Sequence, residues 1–331
     1  MTNLRAGLIG LGMMGRNHAR VLRELDGVDL IGVADPVGDT HGVAGDLPVD
    51  GSVAELIDRG MDYCVVAVPT AYHFDIAMEL AAAGVHAFIE KPLAANSAEA
   101  TKLVDTFAAA GLVGGVGHIE RYNPALQQAR RRLADGELGE IYQIATRRVG
   151  PFPARIADVG VVKDLGTHDI DLTTWVTQQP FAAVSARTAH RSGRPHEDLV
   201  SITGQLRDGT VTSHLVNWLS PLKERLTVIT GDKGAFVADT LTADLTYYAN
   251  GSVPSEWSRL AGFRGVSEGD MIRYAFSKPE PLMTEHDQFL RAVRGEAATV
   301  VSLAEGAHTL AVAEAALESA DRGTTVSVSE Q

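Results

Sequence analysis

The 331-residue sequence holds one cysteine, Cys64. A single thiol cannot form an intrachain disulfide and suits a reducing compartment, so a cytoplasmic protein is expected. Long apolar runs are also missing. None approaches the roughly 20 residues that a membrane-spanning helix needs, so no membrane partner is expected. Residues 5–15 imitate a secretory signal, but glycines break the stretch, and Arg16, Asn17 and His18 stand where small cleavage-site residues would lie. No long basic run occurs and the net charge is −13, which argues against nucleic acid as a partner, since phosphate contacts need clustered Lys and Arg. There is no H-E-x-x-H, no paired Cys–His spacing and no G-x-S-x-G, so neither a metal site nor a serine nucleophile is expected.

What is present describes a globular chain. Hydrophobic residues make up 45% and charged residues 21%. The length exceeds one ordinary core and favours two domains. Residues 1–118 alternate near-continuous apolar strands (4–10, 30–34, 63–68, 86–89, 113–117) with helical stretches, and Ser52 and Glu55 have the spacing of a capping box. That rhythm predicts a doubly wound parallel sheet covered on both faces. Residues 119–331 read differently. One or two helices run to about residue 134, and another starts near Asp164 and ends before Pro180. Alternating strands follow, with a hairpin turn at Asp208-Gly209, and the chain ends in two helices. An α+β domain with an open, mostly antiparallel sheet is expected here.

Gly10-Leu11-Gly12-Met13-Met14-Gly15 is a G-x-G-x-x-G placed after a strand and before a helix. In that context the glycines allow a tight turn, close approach of a pyrophosphate and close helix–strand packing. The helix N-terminus adds unpaired N–H groups and a positive dipole end. Asp35 ends the second strand, 20 residues after Gly15, where a carboxylate can accept ribose hydroxyls. These residues predict an NAD site. Pro69, Thr70 and His73 lie where the next strand delivers its carboxyl end, which is either part of that site or a plain strand-to-helix loop.

Glu90-Lys91-Pro92 follows the fifth strand directly. A lysine there can polarise a substrate oxygen or pass a proton; alternatively it is a solvated surface residue. Asp164 and His168 are four apart in DLGTHDID and would share a helix face, with Asp171 three further on. A carboxylate beside an imidazole orients it and raises its basicity, as a general base for an alcohol requires. The competing reading is a capping Asp164 and a structural His168. His41, His190, His196, His214, His286 and His308 have no companions at catalytic spacing and read as surface or satisfied structural residues.

In their order along the chain, GLIGLGMMGRNHA, PTAYH, EKP and DLGTHDID resemble the Gfo/Idh/MocA oxidoreductases over essentially the whole sequence. The resemblance implies a Rossmann domain, a C-terminal α/β domain, and oxidation or reduction of secondary alcohols on sugars and cyclitols. It implies Lys91 as the catalytic lysine and His168 as proton acceptor and donor, with Lys91 and Asp164 assisting. It places Gly10, Gly12, Met13, Met14, Gly15, Asp35, Pro69, Thr70, His73, Glu90 and Lys91 around NAD.

GHIERYNP (117–124) and the stretch 147–161 are most similar, within that family, to the UDP-N-acetylglucosamine 3-dehydrogenase group. That similarity implies a nucleotide-sugar substrate met by Arg121, Tyr122, Asn123, Arg155, Lys163, Asp164 and His168. Residues 118–163 carry eight Lys or Arg against five acids, a net +3 in a −13 chain, as an anionic ligand would favour. A cyclitol dehydrogenase and a non-catalytic NAD(H)-binding sensor or scaffold are the alternatives. A homo-oligomer, dimer or tetramer, through the C-terminal sheet is expected from the resemblance.

Overall fold

The computed structural model describes residues 2–152, 159–251 and 269–328. It divides into two units. The first comprises Met1–Ile119 with Glu280–Glu314, and the second Glu120–Pro279 with Ala315–Glu330.

In the first unit, strands β1 (Leu4–Ile9), β2 (Val28–Ala34), β3 (Val49–Asp50), β4 (Tyr63–Val66), β5 (His86–Glu90) and β6 (Gly114–Gly117) form a six-stranded sheet in the order β3-β2-β1-β4-β5-β6. Every neighbouring pair is parallel. Helices α1 (Met13–Glu24), α2 (Val53–Ile57), α3 (His73–Ala82) and α4 (Ser97–Ala110) connect the strands. All four residues of β4 are buried, as a strand covered on both faces requires. Chain ends are set by local chemistry. Ser52 accepts from the Glu55 N–H, Asn96 caps α4, and Gly111 ends α4 with φ 64°. The strand order reverses between β1 and β4, so their carboxyl ends flank the crevice where doubly wound sheets bind ligands.

Part of the 119–331 stretch belongs to this first unit. Helix α7 (Pro281–Val293) and the beginning of α8 (Leu303–Arg322) join it. Phe289 and Leu290 enter the same apolar core as Leu8, Val65 and Phe88, and Val116 donates to the Val301 carbonyl at 2.9 Å. Burial of that apolar surface groups Phe289 and Leu290 with the strands of the first unit.

In the second unit, helices α5 (Pro124–Ala134) and α6 (Thr167–Thr177) pack against a sheet of strands β7 (Ile141–Pro151), β8 (Phe181–Ala189), β9 (Leu199–Leu206), β10 (Val211–Asn217), β11 (Leu219–Gly231), β12 (Gly234–Asp239), β13 (Asp244–Ala249), β14 (Met271–Arg273) and β15 (Val326–Ser327). The order is β14-β13-β12-β11-β7-β10-β9-β8-β15. The β7–β10 pair is parallel and the other pairs are antiparallel. Asp208 and Gly209 turn β9 into β10, with Gly209 at φ 96° and Asp208 accepting from the Thr210 N–H at 2.9 Å. Leu126, Ala129, Leu172 and Val176 of the helices meet Ile144, Ile229 and Phe236 of the sheet. No described helix is long and apolar enough to cross a membrane.

His214 of β10 is buried, with Nδ1 2.8 Å from the Thr146 hydroxyl. Burial pushes its imidazole down to about 4. The native ring is therefore neutral at pH values where the unfolded chain, with an ordinary value near ~6.5, already takes up a proton. Its contribution to stability is full above about pH 6.5 and is lost on acidification, reaching ~3 kcal/mol near pH 4. Denaturant unfolding at pH 7 and pH 4.5 is expected to show a smaller acid loss in His214→Phe than in the unaltered protein. Equal losses would contradict a neutral buried ring.

Candidate functional site

The glycine loop has the shape its residues demand. Gly10 sits at φ 93°, and a Cβ there would lie 2.4 Å from the Ala67 carbonyl oxygen. At Gly15 a Cβ would lie 1.9 Å from the Gly10 carbonyl oxygen. Gly12, by contrast, faces open space, with nothing within 4 Å. Two glycines thus serve the turn and its packing, and the third leaves a surface that another molecule's backbone-hugging group can approach. Helix α1 starts with no side-chain cap and no acid in its first turn, so its leading N–H groups suit an anion. Met13 is exposed and Met14 half-buried in that turn. Asp35 accepts from the Leu11 and Val37 N–H groups, both at 2.9 Å. Each carboxylate oxygen keeps a lone pair for a ribose hydroxyl. Loop, helix start and carboxylate together fit a dinucleotide.

His73 is turned onto two backbone carbonyls. It is 1% exposed, with one ring nitrogen 2.9 Å from the Pro92 carbonyl and the other 3.0 Å from the Val68 carbonyl. Burial dominates those two contacts and pushes its imidazole below the ordinary value. Glu90 also turns inward. Its Oε1 lies 2.9 Å from His18 Nε2, and its Oε2 accepts from the Lys91 N–H at 3.1 Å. Both residues brace the loops rather than reach outward. Pro69 is exposed and Thr70 buried at the start of a single 3-10 turn, and Lys91 is half-buried at the carboxyl edge of β5.

In the second unit Asp164 lies in a π-helical turn, Val162–Gly166, that runs directly into α6. The expected helix is therefore irregular where the motif begins. Such π turns recur at functional sites because they re-aim side chains at little cost in length. Asp164 is buried, and Lys163 and His168 are partly exposed. The helix is fastened from below by two buried ion pairs. Arg121 grips Asp171 through Nε and Nη2 at 2.8 and 2.6 Å, and Arg148 grips Asp169 through Nε at 2.8 Å and Glu120 through Nη1 at 2.8 Å. Burial works against charge on Arg148 and is its largest influence, but Asp169 and Glu120 outweigh it and hold the guanidinium above its ordinary value.

Side chains of the GHIERYNP stretch are engaged within the second unit. The Arg121 fork is turned onto Asp171 and is 5% exposed. Tyr122 is buried. Asn123 caps α5 by accepting from the Ala125 N–H at 3.0 Å, and donates to the Thr240 carbonyl at 2.9 Å. Three arginines of 118–163 meet acids beyond that stretch: Arg121 meets Asp171, Arg148 meets Asp169 and Arg147 meets Glu224. Arg132 pairs with Glu137 and Arg147 with Glu224, both at 2.8 Å, and Arg130 stacks on Trp175. Arg155 lies outside the described residues. Arg121→Ala is accordingly expected to destabilise the fold by ~3–5 kcal/mol, because it strands a buried carboxylate. Denaturant unfolding reads this directly. A loss below about 1 kcal/mol together with a raised substrate KM would restore the substrate-binding role.

The pairing of Arg148 with Asp169 and of His18 with His286 is not legible in the sequence. Asp169 and Asp171 stood in plain view beside His168, but nothing in spacing names the arginines that capture them. His286, read as a surface or satisfied structural residue without a companion at catalytic spacing, is buried, with its Nε2 2.8 Å from His18 Nδ1 across 268 positions of sequence. Among the described residues, no group of three or more His, Cys, Asp and Glu could hold a metal ion.

Comparison with known proteins agrees with this geometry. Residues 4–118 match the oxidoreductase family with an NAD-binding Rossmann fold, Gfo/Idh/MocA, and residues 126–237 match the Gfo/Idh/MocA C-terminal domain. The chain is 29% identical over 303 residues to the UDP-N-acetylglucosamine 3-dehydrogenase of Acidithiobacillus ferrooxidans, covering 88% of this chain and 90% of that protein. A solved structure of that enzyme superposes with a TM-score of 0.86 at 26% identity, over 97% of this chain and 99% of that one. A protein of Amycolatopsis mediterranei named as a UDP-kanosamine synthase oxidoreductase subunit is 31% identical over 273 residues, 72% of this chain and 75% of its own. The scyllo-inositol 2-dehydrogenase of Bacillus subtilis is 30% identical over 192 residues, 55% of this chain and 56% of its own.

Proposed function

The chain belongs to the Gfo/Idh/MocA oxidoreductase family, and from that premise we propose that it is an NAD-dependent dehydrogenase of a UDP-linked N-acetylhexosamine, or its uronate, acting on the C3 hydroxyl. The observation that carries this reading is the near-complete match, over 88% of this chain and 90% of the relative, to UDP-N-acetylglucosamine 3-dehydrogenase. The matches to inositol dehydrogenases, at 55% of this chain for the Bacillus enzyme, favour a cyclitol as the second reading.

The roles follow from side-chain chemistry. Gly10, Gly12 and Gly15 with the first turn of α1 receive the pyrophosphate, and Asp35 receives the adenosine ribose. When bound, NAD supplies the acceptor for the carbinol hydride. His168 takes the hydroxyl proton, with Asp164 assisting, and the Lys91 ammonium stabilises charge on the substrate oxygen. Arg155 is assigned to the anionic part of the substrate by its place in the motif, and Lys163 by its place in the cationic segment beside Asp164. A cytoplasmic homo-oligomer formed through the second unit's sheet completes the reading.

Asp35 also sets cofactor choice. It repels a 2′-phosphate, and the next four residues, Pro36, Val37, Gly38 and Asp39, offer no cation to offset it. Such a like-charge clash is worth ~2–3 kcal/mol, or about 30- to 150-fold. Titration calorimetry is expected to show NAD binding tighter than NADP by that margin, and equal or tighter NADP binding would overturn the assignment. Nicotinamide absorbance followed with UDP-N-acetylglucosamine, its uronate and myo-inositol tests the substrate half.

A further inference from the structure

Three ionisable side chains that the chemistry above leaves unused meet in the core of the first unit. His18 lies on the buried side of α1, Glu90 ends β5, and His286 lies on α7. His18 Nε2 is 2.9 Å from Glu90 Oε1, and His18 Nδ1 is 2.8 Å from His286 Nε2. Both imidazoles are essentially inaccessible, and Glu90 is 8% exposed. Phe88 packs against the two rings, with centroids 5.8 Å from His18 and 5.2 Å from His286.

The protonation pattern follows from these contacts. Burial opposes charge on Glu90 and is its largest influence. The hydrogen bond and charge of His18, with Lys91 beyond, outweigh it and hold the carboxyl below the ordinary glutamate range. Burial, with His18 adding to it, pushes the His286 imidazole well below its ordinary value. A carboxylate only accepts, so His18 Nε2 carries a proton toward it. His286 Nε2 then holds the other nitrogen of His18 at 2.8 Å, so both edges of the ring are engaged and its orientation is fixed. A buried polar chain of this kind is costly unless every contact is made, and an apolar trio would fill the same space without that demand.

The chain ends at Lys91. Glu90 Oε2 accepts the Lys91 N–H at 3.1 Å, and on the other side His73 holds the Pro92 carbonyl at 2.9 Å. Buried histidines thus fasten both neighbours of the lysine. Helix α1 carries both the end of the glycine loop and, three residues beyond Gly15, His18.

We propose that His18 and His286 are positioning residues for Lys91. They fix the Glu90 carboxylate, which with the Pro92 carbonyl sets the backbone from which the lysine projects, and they make α1 and Lys91 one rigid piece. The proposal rests on the assignment of Lys91 as a catalytic residue.

The test uses the full-length protein with His18→Leu, His18→Gln, His286→Leu and Lys91→Met. Pulse acetylation with acetic anhydride, quantified by peptide mass spectrometry, reads the environment of the Lys91 amine without any substrate. His18→Leu is expected to change the Lys91 labelling rate at least about threefold while Lys102 and Lys233 stay unchanged. It should lower kcat on UDP-N-acetylglucosamine about 10- to 100-fold, with NAD affinity by calorimetry little altered. His18→Gln, which restores an N–H donor toward Glu90, should recover most of both effects. His286→Leu should shift both in the same direction by less, and it carries the test if His18→Leu does not fold. Unchanged Lys91 labelling in both leucine variants would overturn the proposal. Full activity in Lys91→Met would overturn the role of the lysine instead, so the two failures are distinct.

Discussion

Replacing His168 by alanine is expected to lower kcat by about 10²–10⁴-fold, the range for losing a positioned general base. The effect should fall on the chemical step. His168 lies on α6, outside the glycine loop and Asp35, so NAD affinity by calorimetry should stay within about twofold. Stability should change little, because the helix is held through other residues. Asp169 is fastened by Arg148 and Asp171 by Arg121, and Leu172 and Val176 bury the apolar side. His168 itself is partly exposed and tops a helix whose register is fixed from beneath. That arrangement suits a proton acceptor, since the helix that carries the ring is anchored through Asp169 and Asp171. The pH–rate profile should lose its acid limb, which reports protonation of the base. Wild-type turnover in His168→Ala would mean that the imidazole is structural and that the base lies elsewhere.

Lys91→Met should produce a fall of comparable size, about 10²–10⁴-fold in kcat. Methionine keeps the length and apolar stem of the side chain and removes the charge. The bracing contacts on either side use the Lys91 N–H, the Glu90 side chain and the Pro92 carbonyl, all of which survive the substitution. Loop geometry and thermal stability should therefore be preserved, and the loss should be confined to stabilisation of the substrate oxygen. Lys91→Arg is expected to recover little. A guanidinium is a wide planar fork, and it replaces a compact ammonium at a half-buried position. A melting temperature more than a few degrees below that of the unaltered protein would show that the lysine is structural instead.

Features made within a few residues were legible in the sequence, and features made by distant partners were not. The glycine loop, Asp35 and the Ser52 cap are local, so residue type and spacing determine them. The alternation of buried strands and helices likewise announced the parallel sheet, although the two-residue β3 is too short to leave a pattern. The second sheet was expected as mostly antiparallel, but the parallel pairing of β7 with β10 depends on which strands meet, and no alternation encodes that. Helix α7 follows the second unit's strands in sequence yet packs with Phe88 and Val65.

The same division runs through the site. DLGTHDID singles out Asp164 and His168 as candidates, but the π turn under Asp164 leaves no mark in the spacing. Motif membership did not reveal which way side chains turn. Arg121 and Asn123 have the right chemistry for a ligand and are used by Asp171 and by α5. His73 and Glu90 stand at the right strand ends and point inward, where a carbonyl and a buried imidazole satisfy them better than solvent would. Local positive charge likewise does not reveal which arginines meet carboxylates, as Arg132 and Arg147 do.

The proposed chemistry is tested most directly by a side-by-side assay with NAD, read at the nicotinamide absorbance. The compounds are UDP-N-acetylglucosamine, its uronate, UDP-glucose, myo-inositol and free glucose, at equal concentration. The expected result is reduction of NAD by UDP-N-acetylglucosamine or its uronate at a higher kcat/KM than by any other compound. A higher kcat/KM on free inositol or glucose than on every UDP-sugar would contradict it and transfer the assignment to the cyclitol or simple-sugar branch.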